Sequence, residues 1–136
     1  MAGKKQYICL DVGEKRIGVA LADSGVRIAI PYDTFEVDGE EVRRIAELYV
    51  KESADMIVVG YPRNQQGEAT AQTEYVEAFC EPLKEFATIT FQDESLTSVQ
   101  AEQRLSGRRG GYTKGDIDAE AAAIILQDYL EEVYGS

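Results

Sequence analysis

Residues 6–23, QYICLDVGEKRIGVALAD, hold two runs of alternating character separated by GEK. In the first, Tyr7, Cys9 and Asp11 share one face and Ile8, Leu10 and Val12 the other. In the second, Ile17, Val19 and Leu21 oppose Gly18, Ala20 and Ala22. A further run, RIAIPYDTFEV, reads as a third strand at a sheet edge, because Pro31 has no N–H to give a ladder. Short turns between the three strands dictate an antiparallel meander. One face of it carries Asp11 where a carboxylate is costly to desolvate.

The period then changes. GEEVRRIAELYVKES places Val42, Ile45, Ala46, Leu48 and Tyr49 at helical spacing with charges between them. DMIVVGYP is a continuous apolar run, as expected of a strand covered on both faces. TAQTEYVEAFCEPLKEF reads as an amphipathic helix bent or ended near Pro82, and ATITFQ as a fifth strand. TSVQAEQRL is a third helix with a Thr97-x-x-Gln100 capping box, and after SGRRGGYTKGD the alanine-rich DAEAAAIILQDYLEEV forms the last. The expected class is α/β, in the order β-β-β-α-β-α-β-α with that last helix to follow. It gives a mixed five-stranded sheet with helices on both faces, in a single domain over residues 1–136.

The chain has no histidine, which removes Ser-His-Asp and Cys-His nucleophilic chemistry and the usual zinc sites. Cys9 and Cys80 lie in apolar contexts and read as reduced core residues. No apolar run reaches bilayer length and no signal-peptide core is visible, so a cytoplasmic location and no membrane partner are expected. A net charge of −11 argues against broad, non-specific grip on nucleic acid, though not against a local basic patch. Tyr7, Tyr49 and Tyr75 fall at core-facing positions and read as packing.

Of 25 acidic residues, most decorate helix surfaces, but three places differ. Asp11 lies in the first strand, Asp93 and Glu94 end the fifth, and Asp118 sits in the first turn of the last helix, in KGDIDAEAAAIIL. Ala122, Ile125 and Tyr129 follow Asp118 on the same helical stripe, aiming its carboxylate at the sheet. Taken singly, Asp11 closes a polar turn and the others favour helix N-termini. Brought together they would raise one another's pKa unless a cation joined them, and an all-oxygen donor set selects Mg²⁺ or Mn²⁺, one ion or two. Two ions would stabilise attacking and leaving oxygens in phosphodiester cleavage. The small face of Gly18, Ala20 and Ala22 offers room for them.

Two loops bear on substrate. GYPRNQQGE follows the fourth strand at the end where α/β sheets bind ligands, and offers Arg63 and Asn64 to phosphate or ribose. Asn64 equally suits a plain turn. RLSGRRGGYTKGD collects Arg104, Arg108, Arg109 and Lys114 around Tyr112, opposed only by Asp116. Cations for phosphates and an aromatic ring for a base are what a nucleic-acid strand requires; the bland alternative is a solvated loop. Lys4, Lys5, Lys15 and Arg16 add a weaker patch.

LDVGEKRIGVALAD, IVVGYPRNQQGE, DESLTSVQAEQRL and KGDIDAEAAAIILQDYL resemble, in order, the four motifs of the YqgF (RuvX) family, over nearly the whole chain. The resemblance implies a ribonuclease-H-like fold related to RuvC resolvases, and a metal-dependent nuclease that processes the 5′ end of pre-16S rRNA in ribosome biogenesis. An alternative within the family is a Holliday-junction resolvase acting on branched DNA. Carried over by motif, the catalytic positions are Asp11, Asp93, Glu94 and Asp118, with the metal on Asp11, Glu94 and Asp118 and Asp93 as the alternative to Glu94. The resemblance also favours substrate contact by Arg63 and Asn64. The family pattern usually reads Asp-Glu-Arg where this chain has Asp93-Glu94-Ser95; the departure bears on one substrate or phosphate contact, not on the metal ligands. Expected partners are pre-rRNA or branched DNA and ribosomal particles, with the protein a monomer or weak homodimer. Asp-x-Gly in a first hairpin also opens actin-like and sugar-kinase ATPases, but those require a second domain. A non-catalytic RNA- or ribosome-binding module of the same fold is the rival from a different class.

Overall fold

The two alternating runs pair as expected and place Asp11 directly opposite Gly18. The computed structural model describes residues 4–62, 68–94, 97–107 and 111–135. Strand β1 (Gln6–Val12) pairs antiparallel with β2 (Arg16–Asp23), which pairs antiparallel with β3 (Ile30–Glu36). Helix α1 (Glu41–Lys51) leads to β4 (Met56–Pro62), parallel to β1. Helix α2 (Ala71–Cys80) and a 3-10 turn at Pro82–Glu85 lead to β5 (Ile89–Glu94), parallel to β4. Helices α3 (Thr97–Leu105) and α4 (Lys114–Tyr134) follow.

The sheet order is β3-β2-β1-β4-β5, so the Pro31 strand is an edge. The chain leaves β1 in one direction through β2 and returns on its other side through β4. The carboxyl ends of β1, β4 and β5 therefore share one end of the sheet, the end where open α/β sheets usually bind ligands.

The alternation of β1 and β2 feeds two separate cores. Ile8, Leu10, Val12, Ile17 and Val19 pack with Ile45 and Leu48 of α1, Val76 and Cys80 of α2, and Ile57 and Val59 of β4. Tyr7, Cys9, Ala20, Ala22 and Val58 pack on the opposite face against Ala122, Ile125, Leu126 and Leu130 of α4. Ala101 of α3 then packs on the outer side of α4 with Ala121 and Ile124. Cys9 and Cys80 are free thiols on opposite faces of the sheet, in keeping with their reading as core residues.

Two local expectations are corrected. The last helix begins at Lys114, not at Asp118, because Thr113 caps it. The Asp116 N–H donates to Thr113 Oγ1 at 3.1 Å and the Thr113 N–H donates to Asp116 Oδ2 at 2.9 Å. Asp118 therefore sits beyond the first turn, and Asp116 takes the acidic place at the helix N-terminus. The second correction concerns the small face of β2. Its space is filled by α4 rather than left for ions: a Cβ on Gly18 would stand 1.9 Å from the Asp118 carbonyl oxygen. The Thr97 capping box falls outside the described side chains.

Candidate active site

Asp11, next to last in β1, projects with Tyr7 and Cys9 toward α4. Glu94, the last residue of β5, reaches the same side. The β4–β5 register sets Gly60 beside Gln92 and Pro62 beside Glu94, and Gln92 Nε2 donates to Glu132 of α4 at 3.1 Å. Gly60 is what admits Glu94: a Cβ there would lie 2.6 Å from Glu94 Oε2 and 2.8 Å from Ile125 Cδ1. Asp118 arrives from α4, whose main chain rests on Gly18.

Asp11 and Glu94 lie in carboxyl–carboxyl contact. Burial, then the Glu94 charge and that contact, then the Asp118 charge push Asp11 well above the usual carboxylate range. Glu94 is also raised by burial, with the contact to Asp11 acting against the rise. Two carboxyls so placed need a proton or a cation between them. Glu94 Oε2 is buried and receives no hydrogen bond. Nearby, burial together with the Asp11 and Glu94 charges holds the Cys9 thiol well above its ordinary value, so it stays protonated.

An orphaned buried carboxylate oxygen, a partner carboxylate in contact with it, a glycine cradle and oxygen donors alone fit a hard divalent cation. The third acid is engaged elsewhere: Arg16 Nε donates to Asp118 Oδ2 at 2.7 Å. Among the described residues, no three acidic or cysteine side chains already stand as a coordination cluster.

The remaining expected residues are dispersed. Asp93 is exposed on the other face of β5, beside Tyr61 in the ladder, so the fold brings Glu94 but not Asp93 to Asp11. Arg104 pairs with Glu120 at 3.0 Å. Tyr112 and Lys114 are exposed just before and at the start of α4. Arg63, Asn64, Arg108 and Arg109 lie outside the described residues. Arg16 was legible only as part of a minor basic patch. Its parity with Gly18, two residues along β2, was the available signal that it faces the acids.

The family model RuvX, described as "Holliday junction resolvase", matches residues 5–132. A Chloroflexus aurantiacus protein named "Putative pre-16S rRNA nuclease" is 41% identical over 130 residues, 91% of this chain and 85% of its own. A protein of the same name from Caldanaerobacter subterraneus is 42% identical over 129 residues, 90% of this chain and 93% of its own. Among solved structures, RuvC of T. thermophilus in complex with Holliday junction substrate superposes with a TM-score of 0.56 at 13% identity, covering 96% of each chain. The Fowlpox virus resolvase bound to Holliday junction DNA gives 0.57 at 12% identity, covering 94% of this chain and 98% of that one. These two likenesses establish the ribonuclease-H-like fold.

Proposed function

The chain belongs to the RuvX family, and we propose that it is a divalent-metal-dependent nuclease that processes the 5′ end of pre-16S rRNA. The observation that carries this reading is the buried contact between Asp11 and Glu94, in which Glu94 Oε2 has no donor. A structural carboxyl pair is normally satisfied by its own proton and by surrounding hydrogen bonds; a buried oxygen left without a donor suits a cation better.

Asp11 and Glu94 would hold Mg²⁺ or Mn²⁺, and Asp118 would complete the set after leaving Arg16. When bound, such a cation supplies charge neutralisation at the attacked phosphodiester. The protein's own part is positional. Gly60 fixes the seat of Glu94, Gly18 fixes the height of Asp118, and both acids stand with Asp11 toward the carboxyl end of the parallel strands, where a substrate strand would be laid. Lys114 and Tyr112 at the start of α4, with Arg63, Asn64, Arg104, Arg108 and Arg109, would meet its phosphates and bases. Asp93, on the far face of β5, stands outside the set that would hold the cation.

The names of the relatives favour RNA, while the description of the family model favours a four-way DNA junction. Purified protein incubated with Mn²⁺ and either a 5′-extended 16S precursor or a synthetic four-way junction separates the two. The expected result is cutting of the RNA that disappears in Asp11→Asn. Cutting of the junction alone would transfer the activity to branched DNA. Tight RNA binding without turnover would leave a ribosome-binding module.

A further inference from the structure

Arg16 and Asp118 lie 102 positions apart in sequence, yet they form a direct ion pair, close enough to the Asp11–Glu94 contact for the Asp118 charge to act on Asp11. Arg16 opens β2 on the face that also bears Gly18, so the guanidinium and the α4 carboxylate are brought together by the same close packing. The pair is partly open to solvent, with side-chain exposures of 30% for Arg16 and 24% for Asp118. It is therefore an inexpensive bond to break. The Glu36 carboxylate, on the cross-strand neighbour of Arg16 on β3, also attracts the guanidinium.

From this we infer that Arg16 is an exchangeable partner: it occupies Asp118 while the site lacks a cation, and passes to a phosphodiester of the substrate once a cation claims that carboxylate. This rests on the metal-dependent reading of the same site. Three acids gathered without a metal leave an excess of negative charge, which one guanidinium offsets in part. A divalent cation among those acids would offset most of that charge and compete directly for the Asp118 carboxylate, weakening the hold on Arg16. The displaced fork, with its parallel N–H donors, matches two non-bridging phosphate oxygens. The strand to be cut brings such a group to the rim of the cation site, within the reach of a side chain that already spans from β2 to α4. Metal loading and substrate binding thereby become linked, each releasing Arg16 from what opposes the other.

Arg16→Gln tests the exchange. With Mn²⁺ alone, calorimetric titration of Arg16→Gln should show affinity about two- to fivefold tighter than the parent, because a competitor has gone. With Ca²⁺ in place of Mn²⁺, a short single-stranded RNA should bind about tenfold more weakly to the same variant. A merely structural Arg16 would move the first quantity in the opposite direction, since loosening α4 lowers metal affinity. Arg16→Lys, which keeps the charge but loses the fork, should retain the parent's metal affinity and still lose RNA affinity. In an Asp118→Asn background the tightening should vanish. Weaker or unchanged Mn²⁺ binding by Arg16→Gln, or unchanged RNA binding, overturns the exchange. If the parent protein takes up no Mn²⁺, the metal-dependent reading itself falls and takes the exchange with it.

Discussion

Gly18 supports the main chain of Asp118: a Cβ at position 18 would stand 1.9 Å from the Asp118 carbonyl oxygen and 2.3 Å from its carbonyl carbon. The obstructing atoms are backbone, so no rotamer change relieves the clash. Gly18→Ala should shift the start of α4 and cost about 3 kcal/mol or more in denaturant unfolding. It should also remove Asp118 from the metal site, read as weaker Mn²⁺ uptake in whatever fraction folds.

Gly60→Ala should behave differently. The atoms its Cβ would meet, Glu94 Oε2 at 2.6 Å and Ile125 Cδ1 at 2.8 Å, are the ends of side chains that can move. The expected stability loss is about 1–2 kcal/mol, while Mn²⁺ affinity drops about tenfold because Glu94 is pushed from its seat. Equal losses of stability and affinity in Gly18→Ala and Gly60→Ala would contradict this division.

Asp11→Asn should stabilise the metal-free protein by about 1–3 kcal/mol near neutral pH, since an amide facing Glu94 removes the need to take up a proton between two carboxyls. Addition of Mn²⁺ should then give the parent a rise in melting temperature that the variant lacks. The pH dependence has a definite sign. Asp11 and Glu94 both have folded pKa values raised by burial, so the folded state holds more protons than the unfolded one. Metal-free stability therefore falls as pH rises from the ordinary carboxylate value of about 4 through the raised folded values. Thermal melts across that range should slope downward in the parent and more gently in Asp11→Asn.

Thr113→Ala removes the cap that starts α4 ahead of Asp118. A loss of about 1 kcal/mol is expected, with amide exchange quickening through Lys114, Gly115 and Asp116 before the rest of the helix.

Much of the fold could be read from local pattern, because alternation and helical spacing report burial directly. The β1 and β2 runs, the Pro31 edge and the Asp118–Ala122–Ile125 stripe all appear where their periodicity puts them. The start of α4 does not, since Gly115 beside Lys114 reads as loop and masks the capping pair of Thr113 and Asp116. The site was less legible because its decisive facts are non-local. Whether Asp93 or Glu94 faces Asp11 depends on the parity of β5 against β4, fixed by Gly60 meeting Gln92. The hold of Arg16 on Asp118 depends on how closely α4 approaches Gly18, which no spacing in the chain expresses.

The central claim is that Asp11 and Glu94 form a cation seat while Asp93 does not. Calorimetric titration with Mn²⁺ of the parent, Asp11→Asn, Glu94→Gln and Asp93→Asn tests it most directly. The account predicts binding by the parent and by Asp93→Asn, and its loss in the other two. Uptake that survives both Asp11→Asn and Glu94→Gln, or that disappears with Asp93→Asn, would contradict it.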